Sequence, residues 1–385
     1  MPPSDSAPTL ILATHEFQPH RGGIAVYCAE MARAAQELGY QVEVWAPALP
    51  PGTEEQAWPF LVRRLNLAGN HGLLSQWRMA RELLRQGQRL NQATLYIPEP
   101  GPLLAMLLLQ YFDTIRPARL MLTFHGSEIQ RLGSRRLLRW STNHLLFQTD
   151  RISVVSDYAR QLLEQHFPSS AAKVVVTPGA LRPDLRLKQS APLAAPGAKT
   201  VILTVARLNP RKGQLEVLHA LKALPPSARA NLEYRLVGAH GKENYDRALA
   251  EAAASADFPV KFLGDIPDEK LGEVYAQADI FAMTSMPHRH SVEGFGLVYL
   301  EAGAHGLPIV AHAIGGVPEA VVHEETGLLV QPGDRSALTQ AFARLLADPA
   351  LRRKLGEAGR ARALARTWQD SAVALFGQPS PPPAT

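Results

Sequence analysis

The sequence predicts an α/β protein built from two doubly wound domains, each with a parallel sheet. Short apolar runs typical of buried strands alternate with amphipathic stretches along both halves, and a Pro- and Ala-rich segment without periodicity separates the halves. At 385 residues, the chain is long enough for each half to bury a core of its own. We therefore expect five segments: an N-terminal domain (1–187), a linker (188–199), a C-terminal domain (200–365), a helix that packs back on the N-terminal domain (366–377) and a disordered tail (378–385).

The first half opens with a strand–helix–strand unit. The strand TLILATHE leads through the loop FQPHRGG into an amphipathic helix from Ile24 to Leu38, which Gly39 ends, and the strand YQVEVWAP follows. Four further strand candidates alternate with helical stretches: ATLYIP, RLMLTFHG, RISVVS and KVVVTPG. This alternation is typical of a Rossmann-like domain, in which ligands bind beyond the carboxyl ends of the strands.

The second half repeats the same alternation. Its strand candidates are TVILTVARL, EYRLVG, VKFLG, DIFAMTS and LPIVAHA. Its helix candidates are Gln214–Leu224, Tyr245–Ala256, two helices ending at Ala278 and His305, one starting near Ser336, and RTWQDSAVALF. Because two such sheets can direct their carboxyl ends to a shared cleft, we expect the active site to lie between the domains.

Composition indicates a globular protein, with 46% hydrophobic and 19% charged residues. The single cysteine, Cys28, cannot form an internal disulfide, which fits a reducing compartment. The opening MPPSDSAPTLILATHE lacks a basic leader, and PLLAMLLLQYF is too short to span a bilayer. We therefore expect a cytoplasmic protein.

Positive charge is concentrated in the first half, since residues 1–188 hold 20 Lys and Arg against 15 Asp and Glu, and the remainder holds 20 of each. Two interpretations stay open: a solvated helix face, or docking on anionic lipid at the inner face of the membrane or on an anionic acceptor. Nucleic acid is disfavoured, because neither basic cluster interleaves several aromatic residues. One cluster, expected to form a stripe on one helix, is Arg78, Arg81, Arg85 and Arg89; the other is Arg131, Arg135, Arg136 and Arg139, around Leu137, Leu138 and Trp140.

The segment from Glu293 to Glu301, EGFGLVYLE, is the most informative of the second half. Gly294 and Gly296 at a loop-to-helix junction leave backbone N–H groups open at a helix N-terminus, which suits a diphosphate. The two glutamates are eight residues apart, about 12 Å if the segment is fully helical, so they could meet the sugar and the ribose of one extended ligand. An acidic first turn and a solvated helix face are the alternatives.

The stretch VEGFGLVYLEAGAHGLPIVAHAIGGVPEAV resembles the Glu-x(7)-Glu signature of the retaining glycosyltransferases of family 4, which have the GT-B fold of two Rossmann-like domains facing a central cleft. The likeness continues in FLGDIPDEKLGEVYAQADIFAMTS, TFHGSE, ISVVSDYARQLL and TVARLNPRKG, so it covers most of the chain. Among the branches of the family, the sequence is similar to bacterial phosphatidylinositol mannosyltransferases, which use GDP-mannose.

The resemblance implies a retaining enzyme that moves a hexose, in that branch mannose from GDP-mannose, to a hydroxyl of a lipid-linked or saccharide acceptor. It implies that Glu293 positions the sugar, Glu301 the ribose, Arg207 and Lys212 the diphosphate, and His125 the reacting sugar. It places further donor contacts at Gly22, Gly23, Asp265, Ile266, Gly294, Phe295, Gly296, Leu297 and Val298.

Several of these residues also have structural interpretations. Gly22 and Gly23 could form a plain turn. The loop also lacks the G-x-G-x-x-G pattern of dinucleotide binding, so binding of nicotinamide or flavin cofactors is disfavoured. A histidine at a strand end is often structural, and Asp265 could cap a helix. Glu128 is a candidate for orienting neighbouring groups or the acceptor. We expect Arg211 to be a bystander.

No metal or other cofactor is expected, because the nucleotide sugar is itself a substrate. His288 and His290 are close in sequence, yet no cysteine or carboxylate pattern completes a site, and His15 and His20 belong to the other half. The resemblance implies that the two cations and the helix N–H groups replace a metal.

The alternatives are transfer from a UDP-sugar to a small soluble acceptor, a nucleotide-sugar epimerase, a phosphorylase, and a sugar-nucleotide binder without catalysis. The candidate residues Glu293, Glu301, Arg207 and Lys212 argue against the last of these.

Overall fold

A computed structural model describes residues 7–67, 72–112, 115–186, 199–288 and 291–378 of the chain. The β-strands are β1 (Thr9–Ala13), β2 (Gln41–Pro47), β3 (Leu61–Leu65), β4 (Thr94–Ile97), β5 (Arg119–Phe124), β6 (Arg151–Val154), β7 (Val174–Val176), β8 (Thr200–Val205), β9 (Leu232–Val237), β10 (Val260–Gly264), β11 (Ile280–Met283), β12 (Ile309–His312) and β13 (Gly327–Val330). The α-helices are α1 (Gly23–Glu37), α2 (Leu73–Arg85), α3 (Gly87–Leu90), α4 (Pro100–Leu109), α5 (Ser127–Ser134), α6 (Arg136–Gln148), α7 (Asp157–His166), α8 (Pro183–Arg186), α9 (Gln214–Lys222), α10 (Pro226–Arg229), α11 (Glu243–Ala254), α12 (Asp268–Ala276), α13 (Leu297–Ala304), α14 (Val317–Ala320), α15 (Arg335–Ala347), α16 (Pro349–Ala365) and α17 (Trp368–Phe376).

The chain divides into two compact units. Unit 1 consists of Met1–Gly179 and Thr367–Thr385, and unit 2 consists of Ala180–Arg366. The sequence placed the first boundary at 187, but Ala180 already belongs to unit 2, because buried Arg182 pairs with Asp268 there and α8 packs against α13. The expected linker and tail lie almost entirely outside the described residues.

Unit 1 is organised around a seven-stranded parallel sheet in the order β3-β2-β1-β4-β5-β6-β7. In its register Leu12 lies beside Val44 on one neighbouring strand and Tyr96 on the other. Helix α17 packs against α1, where the rings of Tyr27 and Trp368 meet edge to face at 5.5 Å. The apolar sides of the strands are buried beneath the helices, as an α/β domain requires.

Unit 2 contains a six-stranded parallel sheet in the order β10-β9-β8-β11-β12-β13. The predicted class of two doubly wound parallel-sheet domains is therefore confirmed. In both sheets the strand order reverses next to the first strand, between β1 and β4 and between β8 and β11. Ligands of doubly wound sheets bind at the carboxyl ends of the strands beside such a reversal.

The predicted single stripe of four arginines is wrong in one respect. Helix α2 ends at Arg85, and Arg89 lies on the separate short helix α3, where it pairs with the buried carboxylate of Glu43. Arg78 is also engaged, since it donates to the backbone carbonyl oxygen of Asn66 at 2.8 Å. Arg81 and Arg85 are exposed, and Arg89 is exposed as well although it pairs with Glu43. Within the described residues, no helix combines the length and apolarity needed to cross a bilayer.

Candidate active site

The carboxylate of Glu293 lies at the centre of the candidate site in unit 2. Its Oε2 accepts hydrogen bonds from Lys212 Nζ at 2.8 Å, Arg211 Nη1 at 3.1 Å and Ser285 Oγ at 3.0 Å. Burial alone would raise the pKa of Glu293, but Lys212 and Arg211 outweigh burial and hold that pKa below its usual value. The side chain is therefore an ionised, firmly oriented acceptor.

A tight turn brings Lys212 to this carboxylate. Gly213 has the left-handed φ of 71°, and a Cβ at that position would lie 1.9 Å from the carbonyl oxygen of Thr284. The Thr284 hydroxyl donates to the carbonyl oxygen of Gly213 at 2.9 Å. Only glycine fits this crossing, which locks the loop after β8 against the end of β11.

The backbone of Glu293 is held by a second glycine turn. The amide of Gly316 donates to the Glu293 carbonyl oxygen at 2.9 Å, and a Cβ on Gly315, whose φ is 57°, would lie 2.3 Å from that oxygen. The loop after β12 therefore fixes the backbone of Glu293 and, with it, the position from which the carboxylate side chain extends.

Positive charge exceeds negative charge at this site. Arg211 and Arg207 both lower the pKa of Lys212, so three cations lie near one another, and two of them, Lys212 and Arg211, bond to Glu293. Desolvation, together with the neighbouring arginines, lowers the pKa of Lys212, and Glu293 opposes this shift. Gln214 supports the loop by donating to the Arg207 carbonyl oxygen at 3.0 Å.

Helix α13 points its N-terminus towards the segment that carries Glu293. The residue before the helix is Gly296, with φ 88°, so no side chain is present there to cap the first N–H groups. Leu297 and Val298 form the first turn, and the ring of buried Phe295 lies under the Arg366 guanidinium at 5.2 Å. Glu293 and Gly294 precede the helix. The distance between Glu293 and Glu301 that was calculated for a fully helical segment therefore does not apply.

Glu301 lies inside α13 and is largely buried. Its Oε2 accepts a hydrogen bond from the Tyr275 hydroxyl at 2.9 Å, so the alternative of a solvated helix face is wrong. Asp265 is exposed and Ile266 is half-buried in the turn between β10 and α12. The N-cap position of α12 is Pro267, so Asp265 does not cap that helix.

In unit 1, His125 follows β5 at the carboxyl end of the sheet. Its Nε2 lies 2.8 Å from the carbonyl oxygen of Pro98, and its backbone N–H donates to the carboxylate of buried Glu128. Because a carbonyl oxygen can only accept, Nε2 carries the proton and Nδ1 is the accepting nitrogen when the ring is neutral. Glu128 thus fixes the backbone at His125, and its role towards the acceptor stays a prediction.

Gly22 and Gly23 lie where the loop after β1 enters α1. The φ of Gly22 is 160°, which is extended backbone, and a Cβ there would contact only Glu16 Oε2 at 3.9 Å. Neither the backbone nor the neighbouring atoms require glycine at this position. Gly22 lies in the bend that leads into α1, and its contact with the donor stays a prediction.

Sequence reasoning missed several members of the site. Arg211, expected to be a bystander, donates to Glu293 beside Lys212, and that expectation is wrong. Ser285 ends the predicted strand DIFAMTS, and its position after a strand is a signal that could have found it. Gly315, Gly316 and Tyr275 contact the two glutamates only through tertiary structure.

The described residues contain no cluster of three or more His, Cys, Asp or Glu side chains arranged to hold a metal ion. His288 forms an isolated β-bridge with Ser291, and His290 lies outside the described residues. That the reaction needs no metal stays a prediction.

Two family models match consecutive parts of the chain. Residues 21–185 match the model described as Glycosyltransferase Family 4, and residues 186–362 match the model described as Glycosyl transferases group 1. The two matches meet close to the division between unit 1 and unit 2, and together they include the whole candidate site.

Similar proteins agree with these matches. The chain is 30% identical to a GDP-mannose-dependent alpha-(1-6)-phosphatidylinositol monomannoside mannosyltransferase of Mycolicibacterium smegmatis, over 94% of both chains. It is 33% identical to a D-inositol 3-phosphate glycosyltransferase of Corynebacterium efficiens, over 60% of this chain and 51% of the relative. Among solved structures, a sucrose-phosphate synthase from Thermosynechococcus elongatus superposes with a TM-score of 0.77 at 22% identity, over 95% of this chain and 96% of that one. The chain therefore belongs to glycosyltransferase family 4 and has the GT-B fold.

Proposed function

We propose that the protein is a retaining mannosyltransferase that moves mannose from GDP-mannose to a hydroxyl of a lipid-linked or saccharide acceptor. Family membership supports a glycosyltransferase that uses a nucleotide sugar. We propose GDP-mannose as the donor because the Mycolicibacterium relative, which is similar along nearly the whole chain, is a GDP-mannose-dependent mannosyltransferase.

One observation carries the proposal: Lys212 and Arg211 share the single carboxylate of Glu293 near the N-terminus of α13, and the charge of Arg207 also acts on Lys212. A bound pyrophosphate would pair its negative charge with these cations. This pairing would also offset the free-energy cost of desolvating Lys212. The same cations stabilise the charge that develops on the departing nucleoside diphosphate during transfer. Glu293, which these cations orient, is then available for the hydroxyls of the sugar.

In the proposed reaction, the acceptor hydroxyl attacks the anomeric carbon from the side of the leaving group. The departing phosphate oxygen takes the hydroxyl proton, so no side chain acts as the base. Since Nε2 of His125 is engaged by Pro98, the neutral ring receives a hydrogen bond through Nδ1, which suits orientation of a sugar hydroxyl. A product of inverted anomeric configuration, identified by NMR, would show instead that a side-chain base acts.

Binding of nucleotides tests the donor. We expect GDP to raise the melting temperature by about 5 °C or more at saturating concentration, since a ligand that binds only the folded state stabilises it by mass action. UDP and ADP should have smaller effects when compared side by side by differential scanning fluorimetry. Stabilisation by UDP without stabilisation by GDP would refute the mannosyl donor while leaving the transferase assignment in place.

An exposed apolar face on unit 1 supports a membrane-bound acceptor. Helix α4 packs against both α2 and α6, and the ring of Tyr111 stacks on that of Trp140 at 5.9 Å. Among the exposed side chains, Leu73 is 91%, Phe147 82% and Leu137 76% accessible. The apolar face consists of Leu73, Leu74, Trp77, Leu108, Tyr111, Phe112, Leu137, Trp140 and Phe147.

Exposed arginines accompany this apolar face, namely Arg81 and Arg85 on α2 and Arg135, Arg136 and Arg139 at the start of α6. Apolar side chains beside clustered arginines complement a bilayer that carries anionic headgroups. We therefore include docking on an anionic membrane in the proposal, with the face of α2, α4 and α6 as the contact.

Vesicle co-sedimentation tests the docking. Replacing Trp77 and Trp140 together by serine should weaken binding to vesicles that contain an anionic lipid by roughly tenfold, because both indoles are lost from the interface. Vesicles of zwitterionic lipid alone should bind the native protein weakly. The matched control is Phe262→Ser, which removes an exposed aromatic ring from β10 of unit 2. Equal binding by the double variant and the native chain would contradict the docking surface.

A further inference from the structure

A buried tyrosine lies behind the carboxylate assigned to the donor ribose. The Tyr275 hydroxyl donates to Glu301 Oε2 at 2.9 Å, and the ring of Tyr275 is fully buried. Tyr275 belongs to α12, whereas Glu301 belongs to α13. The hydrogen bond therefore joins two separate elements of unit 2.

The position of the hydroxyl is fixed by packing. The ring of His305 stacks on that of Tyr275 with centroids 5.1 Å apart and an interplanar angle of 22°. His305 Nδ1 in turn lies 2.9 Å from the backbone carbonyl oxygen of Glu301, so the stacking ring is itself held by the helix that carries the carboxylate. The ring of Phe281 also lies 6.1 Å from that of Tyr275. A fully buried ring in such contacts has few rotamers available, which restricts the direction of its hydroxyl.

The polarity of this hydrogen bond is also fixed. Burial, and then the charge of Glu301, raise the pKa of Tyr275 well above its ordinary value, so the hydroxyl keeps its proton. An ionised carboxylate can only accept. Tyr275 is thus a permanent donor to Oε2 of Glu301.

Helix α12 also follows the turn that contains Asp265 and Ile266, where the resemblance places the nucleobase. Its first residue, Asp268, pairs with buried Arg182. Helix α12 therefore begins after the turn assigned to the base and carries, near its other end, the tyrosine that bonds to the carboxylate assigned to the ribose.

We infer that Tyr275 is a positioning residue of the nucleoside subsite, which holds Glu301 in the orientation that receives the ribose hydroxyls of the donor. The inference rests on the proposed function, in which Glu301 meets the ribose. In this role Tyr275 does not contact the donor itself. It acts through Glu301 on the preference for a ribonucleotide.

Deoxynucleotides test the inference. The native protein should bind GDP more tightly than 2′-deoxy-GDP and 3′-deoxy-GDP, as measured by calorimetry, because each analogue lacks one of the two ribose hydroxyls that Glu301 is proposed to accept. Tyr275→Phe removes one oxygen and keeps the stacked ring, and it should reduce this preference by about fivefold to tenfold. KM for the nucleotide sugar should rise by a similar factor, with kcat changing much less.

The matched control is Tyr234→Phe, which removes the hydroxyl of another fully buried tyrosine of unit 2, bonded to Thr204 Oγ1 at 2.9 Å. This variant should keep the native preference for GDP over both deoxy forms. If Tyr234→Phe also lost the preference for GDP over its deoxy forms, the effect would come from general destabilisation of unit 2. The inference would then be wrong.

The outcomes separate the inference from the proposed function. If Glu301→Ala abolishes the preference and Tyr275→Phe retains it in full, the ribose assignment stands and the role of Tyr275 is overturned. If the native protein does not distinguish GDP from its deoxy forms, the ribose assignment itself is wrong and the inference is overturned with it.

Discussion

Lys212→Met is expected to lower kcat/KM for sugar transfer by about 10²–10³-fold while the protein remains folded. The substitution keeps the length of the side chain and removes the charge that lies 2.8 Å from Glu293. That charge is proposed to stabilise the departing diphosphate, a contribution of about 3 kcal/mol for one well-placed donor in other enzymes. Buried Glu293 loses one counter-charge but keeps Arg211 and Ser285 as donors, so the loss of unfolding free energy should be smaller than in Glu293→Gln. Initial rates with a radiolabelled donor measure the effect.

The control for this variant is Lys222→Met, on α9 of the same unit. Lys222 donates to Ser255 Oγ at 2.6 Å on the surface, and it makes no contact with the candidate site. Its activity should equal that of the native chain. If Lys212→Met also turned over at the native rate, the assignment of the diphosphate to this lysine would be wrong.

Glu293→Gln is expected to reduce kcat/KM by about 10²-fold, since the carboxylate that receives the sugar hydroxyls becomes a neutral amide. It should also lower the free energy of unfolding by about 3 kcal/mol at neutral pH, because Lys212 and Arg211 lose their shared counter-charge. Urea denaturation followed by circular dichroism measures the second effect.

The stability effect should depend on pH in a defined direction. The folded-state pKa of Glu293 lies below its ordinary value of 4.5, so its stabilisation is present above that value and is lost as the pH falls through the lowered one. The difference in stability between the native chain and Glu293→Gln should therefore shrink on acidification. A constant difference across this range would contradict the ion-pair description.

Glu233→Gln provides the matched control. Glu233 is also buried, bonds to Arg235 and Lys261, and has a lowered pKa, but it lies on β9 outside the candidate site. This variant should show a similar loss of stability with native kcat/KM. Its comparison with Glu293→Gln separates breaking a buried ion pair from removing a group used in the reaction.

The sequence was sufficient for the class and the strand succession, because buried parallel strands are continuous apolar runs of a distinctive length. The edge strand β3, Leu61–Leu65, was missed, since the consecutive Arg63 and Arg64 interrupt its pattern and only β2 pairs with it. The break at Asp348, where α15 gives way to α16, was also missed, although Pro349 is a common start signal of a helix.

Within the site, the motifs and the family resemblance made Glu293 and Lys212 candidates without locating their partners. The contact of Arg211 with Glu293 depends on the turn at Gly213, which redirects the chain after β8, and no local pattern encodes where that turn leads. The sequence also did not indicate Tyr275, because this residue contacts Glu301 only through the packing of two helices. Pairwise contacts across elements are set by packing, which one sequence does not reveal.

The return of the last helix to unit 1 has a consequence for dissecting the protein. Unit 2 is one uninterrupted stretch of polypeptide, whereas unit 1 needs both chain ends, since Tyr40 donates to the carbonyl oxygen of Phe376 at 2.8 Å and Trp368 covers Tyr27. Truncation after Arg366 would therefore damage the half of the enzyme most distant from it in sequence. A gene fragment for residues 180–366 instead carries Lys212, Glu293 and Glu301 intact.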